Sequence, residues 1–101
     1  MDREKIAQTM EEVVRSYRGQ LAKKDDSLLA NIGNAAKMVY ETFKTKMVGN
    51  EEEKHAIDMF KQYAEAFEDA LKDGKFQDAS KALDNMEKSI QAFRIKSYDT
   101  V

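Results

Sequence analysis

Cysteine and proline are absent from the 101-residue chain, and glycine occurs only four times. The absence of cysteine excludes disulfides, thiolate metal sites and a cysteine nucleophile. Proline and glycine are the residues that most often break helices and form tight turns, so their scarcity argues against a β-rich or loop-rich fold. The chain has to be stabilised by a packed core, and its length suits one domain of that kind.

Long apolar runs are missing as well, and positive charge is not in excess. No stretch approaches the roughly 18–20 apolar residues of a membrane-spanning helix, and residues 1–5 are charged with both signs, unlike the start of a signal peptide. The net charge of -2 does not favour nucleic-acid binding, which relies on clustered cations. We therefore expect a cytoplasmic protein without a membrane partner and without nucleic acid as its main partner.

The dominant positive signal is helical periodicity. Hydrophobic residues make up 42% of the chain and charged residues 36%, a balance typical of a folded helical domain. In four stretches the apolar residues recur at spacings of three and four, which places them along one face of a helix. The predicted helices cover residues 2–23, 27–48, 51–73 and 76–96.

These helices have nearly equal lengths and short links, which predicts an all-α fold: an antiparallel four-helix bundle with up-down-up-down topology. The alternative is a three-helix arrangement in which two of the segments merge. In this prediction residues 1–96 form a single helical domain and residues 97–101 form a flexible C-terminal tail. The two halves share a binary pattern at an offset near 50 residues, but few identities accompany it, so it is not a sequence repeat.

The predicted helix ends carry residues suited to capping. Gly49 and Gly74 follow apolar stripes and are placed to end helices in the left-handed conformation that glycine tolerates. A polar cluster at residues 24–27 contains Asp and Ser side chains, which can accept hydrogen bonds from the first amides of the second helix. Asn50 occupies the corresponding position before the third helix.

Residues 63–90 contain a local pattern found in a known family. Gly74 is followed by Phe76 and Ala79, after an apolar stripe that includes Phe67. The pattern resembles the helical hairpin of tetratricopeptide-type repeats, and it is also similar to hairpins of small archaeal helical domains of unknown function. The chain has one such hairpin rather than an array, and it lacks the Trp, Leu and Gly signature of the first repeat helix. The resemblance implies a way of packing two helices and, at most, a binding role.

The chain offers little catalytic chemistry. Its only histidine, His55, follows Glu51 and Glu52 at the spacing of a carboxylate–histidine ligand pair, but a di-iron bundle needs a second such pair and a second histidine is absent. We interpret these residues as a solvent-facing first turn whose acids stabilise the helix dipole. No activated-serine motif, phosphate-binding loop or dinucleotide fingerprint occurs. We therefore predict no catalytic residue, no metal ligand and no cofactor.

The second predicted helix carries an unusual patch of small residues. The patch contains Ala30, Asn31, Gly33 and Asn34. A glycine inside a helix costs about 1 kcal/mol of stability relative to alanine. We therefore expect a neighbouring group to occupy the space of the missing side chain. One interpretation is close approach of another helix of the same bundle. The other is a dimer contact or a groove for a partner protein.

The apolar arc of the same helix is wider than one core-facing stripe requires. Met38 and Tyr40 extend it toward the carboxyl end of the helix. We predict that these two side chains are exposed and support a partner or a second subunit, since exposed apolar patches mark interaction sites. Ordinary burial in the core is the alternative.

Charge is distributed unevenly along the chain. Residues 1–24 carry six basic and four acidic side chains, whereas residues 50–74 carry three basic and eight acidic ones. An acidic surface that includes Glu65, Glu68 and Asp69 is a second candidate for partner binding and selects a basic partner, with a solvated helix face as the alternative. The opposing basic patch consists of Arg15, Arg18, Lys23 and Lys24, with an anionic ligand or RNA as its contact.

The sequence therefore predicts a noncatalytic helical protein–protein interaction domain, acting as an adaptor, a regulatory subunit or a small chaperone. Its partner is another protein or a second copy of the chain. The alternative function is a small-molecule or metal-binding helical bundle, with or without enzymatic activity. A pocket near Gly33, Tyr63 or His55 would serve that alternative.

Overall fold

The computed structural model describes residues 3–46 and 51–99, which form four α-helices and contain no strand. The helices are α1 (Arg3–Lys23), α2 (Leu29–Lys46), α3 (Glu51–Lys72) and α4 (Phe76–Asp99). The predicted all-α, four-helix fold is confirmed, and the three-helix alternative is wrong. None of these helices, as far as they are described, is both long and apolar enough to span a membrane.

Two helix boundaries differ from the predicted ones. α2 begins at Leu29 rather than near Ser27. α4 continues to Asp99, so the first three residues of the predicted tail, 97–99, are helical. They contain no glycine or proline that would end the helix. The predicted caps at Gly49 and Asn50, and the last two residues of the chain, lie outside the described residues.

The end of α3 is the left-handed turn predicted at Gly74. The Gly74 amide donates to the Leu71 carbonyl (3.1 Å) and the Lys75 amide donates to the Ala70 carbonyl (2.8 Å), with Gly74 at φ 73°. This pair of bonds is the Schellman motif, which satisfies carbonyls at the helix end. α1 ends in the same motif with Lys24 at φ 52°, a position where a side chain is strained. Sequence reasoning missed this second left-handed residue.

All four helices contribute to one core. Its largest fully buried side chains include aromatic rings that pair between helices: the Tyr17 and Phe67 ring centroids lie 4.4 Å apart, and those of Phe43 and Phe93 lie 5.7 Å apart, edge to face. These pairs join α1 to α3 and α2 to α4. Because such rings bury the most apolar area per residue, they account for much of the stability of the core.

The two halves of the chain bury equivalent positions at an offset of 50 residues. In α1 and α3 the shared buried positions are Ile6 and Ala56, Ala7 and Ile57, Met10 and Phe60, Val14 and Ala64, Tyr17 and Phe67, and Gln20 and Ala70. In α2 and α4 they are Leu29 and Ala79, Ala36 and Met86, Val39 and Ser89, and Phe43 and Phe93. The chain is thus two helical hairpins with similar patterns of burial and few identical side chains.

Ion pairs fix the direction of α4 relative to α1. Near the start of α1, Glu11 and Glu4 accept hydrogen bonds from Arg94 near the end of α4; the Glu4 bond is 2.9 Å long. Near the end of α1, Arg18 donates to Glu87 in the first half of α4 (2.7 Å). The two helices therefore run antiparallel. These hydrogen bonds also raise the pKa of both arginines.

A pair of glycine substitutions tests the assignment of the α3 cap. Gly74→Ala should lower the free energy of unfolding by about 1 kcal/mol, because alanine is strained at positive φ. Gly19→Ala should raise it by about 0.5–1 kcal/mol, because Gly19 is an exposed helical residue with open space around it. Urea denaturation measures both. Equal effects of the same sign would contradict the assignment.

A charge swap tests the α1–α4 pairing. Arg94→Glu should destabilise the protein by about 1 kcal/mol, because it places like charges beside Glu11 and Glu4. Adding Glu11→Arg should recover part of that loss, and the recovery should shrink in high salt, where charges are screened. A double-mutant cycle by urea denaturation measures the coupling. A coupling of zero in low salt would show that the pair does not stabilise the helix contact.

Candidate interaction site on the second helix

The second helix buries only part of its apolar arc. Leu29, Ala36, Val39 and Phe43 are buried, whereas the other apolar residues of this region remain accessible. Partly buried are Ile32, Ala35 and Tyr40; exposed are Leu28 at 48% and Met38 at 66%. A small cavity lies between α2 and α3, and a groove lies between α2 and α1.

The cavity between α2 and α3 has a volume of about 180 Å³. Its lining combines polar groups with alanine methyl groups: Tyr17, Ala30, Gly33, Asn34, Ala36, Lys37, Lys61, Ala64, Glu65 and Glu68. Tyr17 comes from α1 and is fully buried. We call this space the α2/α3 cavity.

A hydrogen bond between Tyr17 and Glu68 organises the inner side of this cavity. The Tyr17 hydroxyl donates to Glu68 Oε1 over 2.8 Å. Burial raises the pKa of Tyr17 far above its ordinary value, and the hydrogen bond and negative charge of Glu68 raise it further. The phenol is therefore protonated over the whole physiological pH range and acts as a donor. A buried phenol needs such a partner, since an unsatisfied hydroxyl costs about 1–3 kcal/mol.

The glycine inside α2 makes room for the same carboxylate. A Cβ atom on Gly33 would overlap Glu68 Oε1, the far end of a flexible side chain. Alanine at this position would therefore require the Glu68 carboxylate to shift, at the expense of its bond to Tyr17. Of the two interpretations of the small-residue patch, close approach of another element of the same bundle accounts for Gly33.

Tyr40 is half-buried rather than fully exposed, which corrects the prediction for this residue. The ammonium groups of Lys61 and Lys44 lie 4.8 Å and 5.4 Å from the centroid of its ring. Cations over an aromatic face are attracted by the ring quadrupole. Lys44 also pairs with Asp58 over 3.4 Å, so the cluster connects α2 to α3.

The groove between α1 and α2 has a volume of about 310 Å³ and carries a single charged side chain, Glu12. Its other lining residues are Thr9, Val13, Ser16, Leu28, Asn31, Ile32 and Ala35. The exposed Leu28 lies at one end of this groove. We call it the α1/α2 groove.

The structure brings most of the predicted partner-binding residues together, but not all. Lining the α2/α3 cavity are Ala30, Gly33, Asn34, Glu65 and Glu68. Asn31 lies in the α1/α2 groove instead, and Met38 is exposed as predicted. Asp69 is exposed on α3 and does not line the cavity. The predicted acidic surface is therefore divided, because Glu68 faces Tyr17 and Glu65 pairs with Lys61 over 3.6 Å.

The basic patch predicted at the end of α1 is also divided. Arg18 pairs with Glu87 and Asp84 of α4. The Lys24 ammonium lies 5.0 Å from the centroid of the Phe76 ring, next to the helix-ending turn. Arg15 and Lys23 remain exposed. Half of the patch thus serves contacts within the domain.

The first turn of α3 lies beside a third, mainly apolar groove. This groove between α3 and α4 has a volume of about 470 Å³ and includes Met59 and Tyr63. Glu51, Glu52 and His55 also line it and are exposed, in agreement with a solvent-facing first turn. Within residues 3–46 and 51–99, no group of three or more His, Cys, Asp or Glu side chains is arranged to hold a metal ion.

Compared with protein-family models, curated proteins and solved structures, the chain matches none of them. The resemblance to tetratricopeptide-type repeats is therefore limited to the single helical hairpin at residues 63–90.

Besides Ser89, whose hydroxyl donates to the Asn85 carbonyl within α4, two buried polar residues were missed by the sequence analysis. Glu53, the third acid of the first turn of α3, is fully buried and binds Arg3 of α1, with 2.6 Å between Oε2 and Nε. Gln20 is 6% exposed, and its Oε1 atom has no hydrogen-bond partner in the described part of the chain. The only sequence signal is position: both fall on the apolar face of their helices, where a polar side chain needs a partner.

Replacing Gly33 by alanine tests the role of the Glu68 carboxylate. In the natural sequence the substitution should destabilise by about 1 kcal/mol, because an orphaned Tyr17 hydroxyl outweighs the gain in helix propensity. In a Glu68→Ala background the collision is absent, and the same substitution should stabilise by about 0.5–1 kcal/mol. Urea denaturation of the four proteins measures this sign reversal. A stabilising effect in both backgrounds would show that the carboxylate does not need the glycine.

Proposed function

We propose that this chain is a noncatalytic helical protein–protein interaction domain of the cytoplasm, an adaptor, regulatory subunit or small chaperone whose partner contacts α2. One observation carries the proposal: an uncharged strip along the accessible side of α2. The α2 strip consists of Leu28, which directly precedes the helix, and of Asn31, Ala35, Met38, Thr42 and Thr45 within it. Charged side chains make up 36% of the chain, and on α2 the exposed ones, Lys37, Glu41 and Lys44, lie beside this strip.

The spacing of the strip supports a helical partner. Its members recur every three or four residues, so they lie along one side of the helix. Helices that bind helices or grooves use anchors at this spacing. Met38 supplies a flexible apolar side chain, which adapts to different surfaces. Burying one such side chain in an interface contributes about 1.5–3 kcal/mol.

The α1/α2 groove runs beside the strip and shares Leu28 and Asn31 with it. A partner helix that covers Met38 can therefore insert an apolar side chain between α1 and α2. A second copy of the chain offers a suitable helix in its own α2 strip, so self-association is the first form of the proposal to test.

A small-molecule or metal-binding bundle, with or without enzymatic activity, is the second candidate function. The α3/α4 groove favours it, because its volume of about 470 Å³ lies within the roughly 300–1,000 Å³ of typical ligand sites. Thermal-shift measurements against metals and metabolites test it, since a ligand that binds only the folded state raises its melting temperature.

Substitution of Met38 tests the interaction proposal. Met38→Lys places a charge in the middle of the α2 strip and should weaken self-association, or binding of an identified partner, by at least about tenfold. Gln62→Lys is the matched control, because it adds the same charge at an exposed position on α3. Both variants should unfold within about 0.5 kcal/mol of the natural chain. Sedimentation velocity over a range of concentrations measures association directly.

Two results would contradict the proposal. One is a strict monomer at all concentrations together with no partner that copurifies from the native cell. The other is a partner complex that Met38→Lys and Gln62→Lys weaken equally, since that would place the contact elsewhere.

A further inference from the structure

The Glu68 carboxylate lies half-buried at the α2/α3 cavity. Its Oε1 atom accepts one hydrogen bond, from Tyr17, although an ionised carboxylate has about four acceptor sites. Within the described ranges, no lysine, arginine or histidine forms an ion pair with it. Tyr17 remains neutral and does not balance the charge. The inner part of the cavity thus has spare capacity for a cationic donor.

The two lysines of the cavity differ in what they already bind. Lys61 pairs with Glu65 over 3.6 Å and lies above the Tyr40 ring. Lys37 is exposed on α2, lines the same cavity and forms no ion pair with any described residue. The cavity therefore has one uncompensated negative group on α3 and one uncompensated positive group on α2.

The space is small, and part of its lining is apolar. Ala30, Ala36 and Ala64 present only methyl groups. The volume of about 180 Å³ is below the roughly 300–1,000 Å³ of sites for larger ligands. A nucleotide or an aromatic cofactor is too large for this space, whereas a short hydrocarbon chain with charged ends fits it.

We propose that the α2/α3 cavity binds a small zwitterion of the amino-acid class, with its ammonium group on Glu68 and its carboxylate on Lys37. Its methylene groups contact the alanine walls, and the Asn34 side chain, which lines the same cavity, offers a further donor and acceptor. Both ends of the ligand make charge-assisted hydrogen bonds, the strongest kind available to such a molecule. This site is separate from the proposed interaction surface, because Met38 does not line the cavity.

Isothermal titration calorimetry of the full chain tests the proposal with glycine, β-alanine and γ-aminobutyrate, which separate the two charges by increasing lengths. At least one of these three zwitterions should bind. Butylamine and butyrate carry one charge each and should bind at least about tenfold more weakly than the best zwitterion. Butylamine binding as tightly as the best zwitterion would overturn the role of Lys37. No binding by any of the three zwitterions at millimolar concentration would overturn the site itself.

Variants locate the binding. Glu68→Gln removes the negative charge but keeps an oxygen that accepts the hydrogen bond from Tyr17. Lys37→Met removes the positive charge of an exposed side chain without affecting the core. Each variant should reduce the affinity for the zwitterion by at least about tenfold. Asp69→Asn and Lys72→Met are matched controls outside the cavity and should bind like the natural chain. Unchanged affinity in both cavity variants would overturn the assignment. Met38→Lys should leave this binding intact, so the two proposals fail independently.

Discussion

A buried phenol must keep a hydrogen-bond partner, and this requirement at Tyr17 connects three of the four helices. The hydroxyl comes from α1, its acceptor is Glu68 of α3, and that carboxylate lies where a Cβ atom of residue 33 in α2 would be. The glycine in α2, the position of Glu68 and the cavity between the helices are therefore parts of one arrangement. An unsatisfied buried hydroxyl costs about 1–3 kcal/mol, which is at least as much as the roughly 1 kcal/mol that a helical glycine costs.

The two hairpins differ in side-chain volume at the position of Gly33. At the equivalent position of the second hairpin stands Leu83, which is fully buried. Gly33 contributes no side chain to the core, whereas Leu83 fills the space between its neighbours. α4 packs closely against α3, while α2 makes looser contacts and has a cavity on one side and a groove on the other. Both proposals concern α2, because this helix has accessible space on two of its sides.

The ion pairs between α1 and α4 determine the relative direction of these two helices. The acids near the start of α1 face Arg94 at the end of α4, and Arg18 at the end of α1 faces acids in the first half of α4. Reversal of either helix would place like charges together, so the pattern specifies the antiparallel arrangement more than it adds stability. Charges that form no ion pair with another described residue are then informative, and Glu68 and Lys37 are two of them on one cavity.

Apolar spacing determined the four helices and the glycine determined the turn at Gly74, because helix formation and left-handed caps depend on local sequence. The exposure of Met38 was not determined in this way, since the same apolar arc predicted an exposed Tyr40, which is half-buried. The sequence also indicated Gly33 and Glu68 separately, but nothing in it placed one beside the other. Only the tertiary structure decided that they meet, because contact between α2 and α3 depends on how the helices rotate and approach. The burial of Glu53 and the pairing of Arg18 with α4 have the same origin: a charged residue has the same sequence signature whether it faces water or another helix.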